Sequence, residues 1–155
     1  LGPAKATTVA AAFELGRRAA LEDGGVTPTI TTPGDIARLV QPELEVLAQE
    51  ELRLLILDTK HHLLASRMLY RGTVSAAPGR VAEVFREAIR LGAVKVALAH
   101  NHPSGDPAPS RADIDFTREV VGAGRLLGVD VLDHIVVGHG PGRWVSLREQ
   151  RLGFG

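Results

Sequence analysis

The segment that most restricts how this chain can fold is an apolar run, residues 93–99 (AVKVALA), which leads directly into residues 100–102 (HNH). A short apolar run of this kind is typical of a buried strand. Residues 101–109 (NHPSGDPAP) overlap its end, and their three prolines and one glycine exclude both helix and strand. Ser110 then begins a predicted helix that continues to about residue 127. The chain must therefore leave a buried strand, cross an irregular loop and enter a helix.

The remaining sequence alternates between strand and helix patterns. In chain order it predicts helices over residues 7–22, 33–40 and 78–91 and strands over residues 50–58, 63–70, 129–137 and 143–147. Residues 23–33 are typical of a linker, Pro42 is expected to interrupt or restart the second helix, and residues 148–155 are expected to be loosely attached. This order predicts one α/β domain, with a sheet of roughly five strands and helices on its faces.

The composition excludes several classes of protein. The chain has no cysteine, so neither a disulfide framework nor a thiolate metal site is possible. Lys plus Arg equals Asp plus Glu at 18 each, whereas a dedicated nucleic-acid binder usually carries a basic surplus. No apolar run is long enough to span a bilayer and no basic-then-apolar leader is present. We therefore expect no membrane partner, and the lack of cysteine favours a cytoplasmic location.

Two histidines and an aspartate near the strand end form a pattern that can hold a metal. The sequence reads H-x-H-x7-S-x2-D, with His100, His102 and Asp113 as the ligand-type residues. Side chains at i and i+2 of an extended segment project to the same side, so both imidazoles can converge on one ion. Two imidazoles and a carboxylate suit zinc, and a fourth position left for water is typical of a catalytic site. The alternative is that the histidines are surface polar residues.

Ser110 and Asp113 have a second interpretation that involves no metal. Ser-x-x-Asp at the start of an apolar-periodic helix resembles a capping box, with Ser110 as the N-cap and Asp113 at the third helical position. The two interpretations are compatible, because a carboxylate has two oxygens and one of them can face a metal. A cap at this position would hold Asp113 beside the loop that carries His102.

Hydrolysis at such a site also needs a proton carrier. A three-ligand zinc lowers the pKa of its bound water to about 7 and polarises a carbonyl oxygen, and a base must then move a proton to the leaving nitrogen. Glu50 and Glu51 begin the apolar strand 52–57, an unusual position for charge unless it faces solvent or a site. Either glutamate is a candidate for this base, and the alternative is that both are solvated.

The other histidines are weaker candidates for a site. His134 lies inside an apolar strand and is predicted to be a hydrogen-bonded core residue near the site, with Asp133 as a possible partner. His61, His62 and His139 fall in predicted turns and are expected to be solvated.

Beyond these residues, the sequence resembles a known family. The motif with an upstream glutamate resembles the JAMM (MPN-type) metalloproteases, and the wider sequence resembles the bacterial RadC proteins of that superfamily. The segments that carry the RadC resemblance are LDTKH at 57–61, RGT at 71–73, FREA at 85–88, AHNHPSGD at 99–106 and LDHIVVG at 132–138. Together they cover about residues 48–148 and are highly specific.

The resemblance implies a fold and a set of residue roles. The fold is a mixed sheet between helices, a three-layer architecture related to that of cytidine deaminases. The zinc ligands of the family map to His100, His102 and Asp113. Ser110 would orient the water or hydrogen-bond the oxyanion that develops during the reaction. The catalytic glutamate of the family maps to Glu50, eight residues before the aspartate of LDTK, with Glu51 as the alternative.

The implied function is that of a zinc-dependent hydrolase, a metallopeptidase or isopeptidase with a peptide or protein substrate. The alternative is a DNA-repair-associated accessory module whose metal site is structural or vestigial. Eukaryotic deubiquitinating relatives carry Ser or Thr between the two histidines, whereas this chain has Asn101. The resemblance therefore gives no support to ubiquitin-type substrates, and the sequence predicts no particular oligomeric state.

Residues 1–6 (LGPAKA) resemble the second half of a helix-hairpin-helix element, which RadC proteins carry ahead of the protease-like domain. We therefore divide the chain into residues 1–30, a truncated helix-hairpin-helix remnant with its linker, and residues 31–155, the JAMM/MPN-type RadC domain. In an intact element the backbone amides of the turn can meet a phosphate. DNA binding is accordingly expected only through the missing N-terminal region.

Overall fold

The structure is a computed structural model, and it describes residues 27–72 and 80–155 together with residues 8, 11 and 12. Within this part of the chain the elements, in order, are α1 (Pro33–Leu44), β1 (Glu51–Leu57), β2 (Leu63–Arg71), α2 (Arg80–Arg90), β3 (Lys95–Asn101), α3 (Arg111–Leu127), β4 (Asp130–Val137) and β5 (Trp144–Ser146). The predicted α/β class is confirmed. The predicted helix over residues 7–22 and most of the predicted region 1–30 lie outside the described residues.

The strands of the described chain form one mixed sheet in the order β2-β1-β3-β4-β5. β3 and β4 are parallel and the other neighbouring strands are antiparallel. A parallel pair needs a crossover connection, and α3 provides it. Leu52 of β1 lies opposite His100 of β3. The start of β1 therefore lies beside the end of β3, at one edge of the sheet.

Helices cover both faces of the sheet and give the three layers expected from the sequence. Alternate side chains of a strand face opposite ways. Leu54 and Leu98 belong to a buried cluster with α2 and α3, whereas Leu55 and Ala97 belong to a second buried cluster with α1. His100 has the parity of Leu98, so its imidazole lies on the face covered by α3. No helix of the described residues is long and apolar enough to cross a membrane.

β3 extends further than the sequence predicted. Asn101, which was expected to lie in the irregular loop, is the last residue of β3 and pairs with Val137 of β4. The ladder ends there because Pro103 has no backbone N–H to donate to a neighbouring strand. Ser110 is the N-cap of α3, as predicted, and the loop between β3 and α3 runs from His102 to Pro109.

The prediction that Pro42 interrupts or restarts the second helix is wrong. α1 is continuous from Pro33 to Leu44, with Pro42 in its last turn. A proline at this position removes one helical hydrogen bond, the one that would end at the carbonyl of Arg38. Arg38 is exposed, so water can satisfy that carbonyl.

The prediction of a loosely attached tail is also wrong. Phe154 packs against the cluster beneath α2 and α3, and the backbone N–H of Leu152 donates to the carbonyl of Leu147 at 2.8 Å. Gly153 lies so close to α3 that an added Cβ would be 3.0 Å from the carbonyl oxygen of Ile114. One aromatic side chain, one backbone hydrogen bond and one closely packed glycine thus tie the end of the chain to the domain.

Candidate metal centre

Four ionisable side chains converge at the edge of the sheet where β1 begins and β3 ends. They are Glu50, His100, His102 and Asp113, and one ligand atom from each lies within 4.8 Å of all the others. Each comes from a different local setting: the residue before β1, the end of β3, the loop after it and the first turn of α3. All four were candidates from the sequence, and the structure brings them together.

The spacing of three of these side chains fits a tetrahedral zinc site. His100 Nε2 lies 3.1 Å from His102 Nε2 and 3.3 Å from Asp113 Oδ1, and His102 Nε2 lies 3.3 Å from Asp113 Oδ2. The bonds of about 2.0–2.1 Å in a tetrahedral zinc site place neighbouring ligand atoms about 3.3 Å apart. Two imidazole nitrogens and a carboxylate are also the donor types that zinc prefers in a cysteine-free protein.

The site is buried on one side and accessible on the other. The side chains of His100 and Asp113 are 0% and 3% exposed, whereas those of His102 and Glu50 are 18% and 19% exposed. Glu50 Oε1 is 4.0 Å from His100 Nε2, further than the three closer atoms are from one another. The carboxylate of Glu50 therefore lies at the accessible side of the group, where a small substrate molecule can reach it.

His102 is oriented by the loop that follows it. Its Nδ1 lies 2.9 Å from the carbonyl of Asp106, and because a carbonyl only accepts, Nδ1 carries the proton of a neutral ring. Nε2 then faces the group. The hydrogen bond with the Asp113 side chain raises the pKa of His102, against the opposing effect of burial. A cation is thus favoured between these side chains, whether a proton or a metal.

Asp113 is held as a carboxylate. Burial raises the pKa of Asp113, but hydrogen bonds from His100 and His102 outweigh burial and hold that pKa below its ordinary range. Ser110 contributes through the capping box: its Oγ accepts from the Asp113 N–H at 3.1 Å, and its N–H donates to Asp113 Oδ2 at 2.7 Å. The capping interpretation of Ser110 is therefore confirmed, and its catalytic role stays a prediction.

Glu51 lies outside the group. Its side chain is 1% exposed and occupied by two arginines, with Oε1 2.7 Å from Arg53 Nε and Oε2 2.9 Å from Arg71 Nη2. The two glutamates that the sequence left as alternatives thus have separate surroundings, because consecutive residues of a strand face opposite ways. Only Glu50 is near the histidines.

Asn101 holds the backbone on both sides of Glu50. Its Nδ2 donates to the carbonyl of Gln49 at 3.1 Å, and its Oδ1 accepts from the N–H of Glu51 at 2.8 Å. Asn101 is 1% exposed. The residue between the two histidines therefore fixes the position of the Glu50 main chain, and the sequence analysis missed this contact.

His134 is a buried, hydrogen-bonded core residue near the site, as predicted. Its Nε2 lies 2.7 Å from His100 Nδ1, and its Nδ1 lies 2.7 Å from Thr117 Oγ1. Complete burial, followed by the charge of His100, lowers the pKa of His134 well below its usual range. The sequence analysis missed Thr117, although it follows Asp113 by one helical turn, and that spacing is a usable signal.

Asp133 does not pair with the imidazole of His134. Its carboxylate accepts from the Ser146 hydroxyl at 2.6 Å and from the backbone N–H groups of His134 at 2.7 Å and Arg148 at 3.2 Å. Burial raises the pKa of Asp133 despite these bonds. The suggested side-chain pair fails because consecutive residues of β4 face opposite sides of the sheet.

The remaining histidines lie away from the group, and two of them are less solvated than expected. His61 and His62 are partly buried, with Nδ1 of His61 2.9 Å from the carbonyl of Ile30 and Nδ1 of His62 2.9 Å from Asp58 Oδ2. His139 is exposed, as predicted.

The loop that carries His102 is pressed against the turn after β4. The N–H of His102 donates to the carbonyl of Val137 at 2.9 Å, and the N–H of His139 donates to the carbonyl of Gly105 at 3.1 Å. A Cβ added to Gly138 would lie 2.4 Å from the carbonyl oxygen of Gly105. The loop and the turn can approach so closely only because both positions are glycine.

Comparison with known proteins identifies the family. Residues 30–152 match the RadC-like JAB domain family. A UPF0758 protein of Roseiflexus castenholzii is 47% identical over 154 residues, which are 99% of this chain and 65% of that protein. UPF0758 proteins of Chloroflexus aggregans and Desulfitobacterium hafniense are 45% and 43% identical, over 99% and 98% of this chain and 66% of each relative.

The chain belongs to the RadC-like JAB domain family, as the sequence resemblance predicted. It spans about two thirds of the length of these relatives. None of these relatives is named for an activity.

Proposed function

We propose that this RadC-like JAB domain is a zinc-dependent hydrolase that cleaves a peptide or isopeptide bond. The observation that carries the proposal is the convergence of three side chains: His100 Nε2 and His102 Nε2 lie 3.1 Å apart, and each lies 3.3 Å from one oxygen of Asp113. The carboxylate of Glu50 is a fourth group, 4.0 Å from His100 Nε2. Three ligands leave one zinc position open, which is the arrangement of catalytic rather than structural zinc sites.

His100 Nε2, His102 Nε2 and one oxygen of Asp113 are the atoms that would hold the ion. A zinc ion held there would supply polarisation of a carbonyl group and a lowered pKa for water, from 15.7 to about 7. Asp113 contributes one negative charge, and the two imidazoles contribute none when neutral. The three-ligand set would therefore keep one net positive charge with zinc, which favours the binding of a carbonyl oxygen.

Glu50 is the proposed proton carrier of this reaction. Its carboxylate is partly exposed and lies at the accessible side of the ligand set. Amide hydrolysis needs one group that takes a proton from water and returns it to the leaving nitrogen. Asn101 holds the main chain on both sides of Glu50. The side chain of Glu50 would remain free to turn from the water to the leaving nitrogen.

Ser110 is the proposed hydrogen-bond donor to negative charge on the substrate oxygen. Its hydroxyl oxygen accepts from the backbone of Asp113, and a serine hydroxyl that accepts one bond still has a proton to donate. That proton is available for an oxyanion that develops near the ligand set. Ser110 would thus cap α3 and bind the oxyanion at the same time.

The proposal is tested by metal content and by cleavage. Protein purified without added metal is expected to contain about one equivalent of zinc, which His100→Ala removes. Glu50→Gln should keep the zinc and lower turnover of a peptide library by about 10²–10⁴-fold, the usual contribution of a positioned acid–base group.

Glu51→Gln is the matched control, because it changes the neighbouring glutamate with the same chemistry. It should retain turnover and instead lower the free energy of unfolding, by roughly 1.5–3 kcal/mol for hydrogen bonds to a charged group. A parent protein that binds no zinc would overturn the proposal. A zinc-loaded parent protein that cleaves no peptide would instead support the accessory-module alternative.

A further inference from the structure

A chain of short hydrogen bonds runs from the backbone of α3 to His100. Thr117 Oγ1 lies 2.6 Å from the carbonyl oxygen of Asp113 and 2.7 Å from His134 Nδ1, and His134 Nε2 lies 2.7 Å from His100 Nδ1. Thr117, His134 and His100 are all 0% exposed. Every side chain in this series of hydrogen bonds is therefore shielded from water. The protons of the series have to be distributed among these atoms alone.

The carbonyl of Asp113 decides the direction of the first bond. A carbonyl oxygen can only accept, and two oxygens 2.6 Å apart need a proton between them. A threonine hydroxyl has a single proton, so that proton lies on the bond to Asp113. The Thr117 oxygen must then accept in its contact with His134, and His134 Nδ1 must donate.

The same reasoning fixes the next bond. The two ring nitrogens of His134 contact a hydroxyl and an imidazole, and no carboxylate of the described residues bonds them, so the buried ring is neutral. A neutral ring that carries its proton on Nδ1 has a lone pair on Nε2. His100 Nδ1, 2.7 Å from that lone pair, must therefore donate. His100 Nδ1 therefore carries a proton, and the other ring nitrogen, Nε2, faces His102 and Asp113.

We infer that Thr117 and His134 are positioning residues that keep a proton on His100 Nδ1, so that Nε2 is the nitrogen that His100 offers to a metal. The metal-binding part of this inference rests on the proposed function, whereas the tautomer does not. Neither side chain contacts a metal-binding atom of the set, because His134 meets His100 at Nδ1 and Thr117 meets Asp113 at its backbone carbonyl. The direction of all three hydrogen bonds is set by the backbone carbonyl of Asp113, which is itself a candidate ligand. Asp113 thus determines which nitrogen of His100 carries a proton.

The tautomer can be measured in the metal-free protein without any substitution. Long-range ¹H–¹⁵N correlation spectra distinguish a protonated from an unprotonated imidazole nitrogen. We expect protonated Nδ1 on both His134 and His100, and unprotonated Nε2 on His134. A proton on His134 Nε2, or on His100 Nε2 with Nδ1 bare, would overturn the inference.

Thr117→Val and Thr117→Ser form a matched pair of variants. Valine has nearly the shape of threonine but removes the hydroxyl, so His134 loses the acceptor that keeps its proton on Nδ1. We expect the His134 and His100 protons to redistribute in Thr117→Val and zinc affinity to fall about 10-fold, the lower end of the usual effect of losing a hydrogen bond to a ligand. Thr117→Ser retains the hydroxyl and should keep the parent tautomers and affinity.

Metal affinity is measured by competition with a chelator, and folding is checked by the unfolding midpoint of the metal-free variants. Equal zinc affinity in Thr117→Val and Thr117→Ser would contradict the positioning role. If the protein shows the expected tautomers but binds no zinc, the assigned hydrogen-bond directions are correct and the proposed function is wrong. If Thr117→Val does not fold, the spectra of the parent protein and of Thr117→Ser still decide the tautomer.

Discussion

Two helices of this domain begin with the same local motif, and only one of the two motifs meets a histidine. At α1, Thr32 Oγ1 accepts from the Asp35 N–H at 3.2 Å and Asp35 Oδ2 accepts from the Thr32 N–H at 2.9 Å. At α3, Ser110 and Asp113 make the same two bonds at 3.1 and 2.7 Å. Both aspartates therefore complete a capping box of the same geometry.

The surroundings of the two carboxylates differ. The second oxygen of Asp35 bonds Arg38 one turn further along α1, a local contact between side chains that solvent reaches. Asp113 is buried and faces two histidines that arrive from β3 and its loop. The comparison teaches that a capping box fixes where a carboxylate lies, and that the strand beside it decides whether the carboxylate also binds a ligand.

The largest expected effect separates the two aspartates by metal binding. Asp113→Asn should lower zinc affinity by more than about 100-fold, since losing a charged ligand costs more than the 10–100-fold effect of losing a partner of a ligand. Asp35→Asn should leave zinc affinity unchanged. Both are measured by competition with a chelator, and equal affinities would mean that the two boxes are alike and that Asp113 is only a cap.

A smaller effect separates the two hydroxyl residues. Thr32→Ala and Ser110→Ala should each lower the free energy of unfolding by about 1 kcal/mol, the typical value of an N-cap side chain. Ser110→Ala should in addition lower peptide turnover by roughly 10²-fold, as loss of one oxyanion donor does. The readouts are chemical denaturation and kcat. If Ser110→Ala lowers kcat no more than Thr32→Ala does, Ser110 has no role beyond capping.

The smallest effect concerns the pH dependence of the metal-free protein. Backbone hydrogen bonds from Thr31 and Thr32 lower the pKa of Asp35 below its ordinary value of 3.8. A lowered carboxyl pKa contributes stability that is present above 3.8 and is lost as the pH falls. The unfolding free energy of the parent protein minus that of Asp35→Asn should therefore decline on the acid side alone, by about 1 kcal/mol or less.

The corresponding difference for Asp113→Asn should decline on both sides. The lowered pKa of Asp113 gives the same loss towards acid, whereas the raised pKa of His102 gives stability that is present below 6.5 and lost as the pH rises. Denaturation curves from pH 3 to pH 9 in the presence of a chelator measure both differences. A flat profile for Asp113→Asn above pH 6 would show that His102 and Asp113 are not coupled.

Local patterns in the sequence were sufficient for much of the fold and the site. The run at residues 93–99, the loop after it and the Ser-x-x-Asp start of α3 each depend on neighbouring residues. The strand, the loop and the helix could therefore be predicted, and with them the approach of His102 to Asp113. The mixed sheet and the three layers followed from the family resemblance.

Contacts between distant strands could not be predicted in the same way. The choice between Glu50 and Glu51 depends on strand register, because a shift of one residue moves a side chain to the other face. The contact of His134 with His100 depends on an irregularity in the pairing of β3 and β4, where the register shifts between Val96 and Leu98. No local pattern encodes that shift, so the hydrogen bonds that link Thr117 to His100 through His134 could be found only in the folded structure.

The close contact between Gly105 and Gly138 has a consequence for the entropy of metal uptake. The two glycines allow the loop that carries His102 to lie directly on the turn after β4. Ordering a flexible loop costs conformational entropy, and a binding event that orders a loop loses affinity by that amount. Here the loop is ordered when the sheet forms. The entropy of ordering the loop is therefore lost during folding, and metal binding does not lose affinity for it.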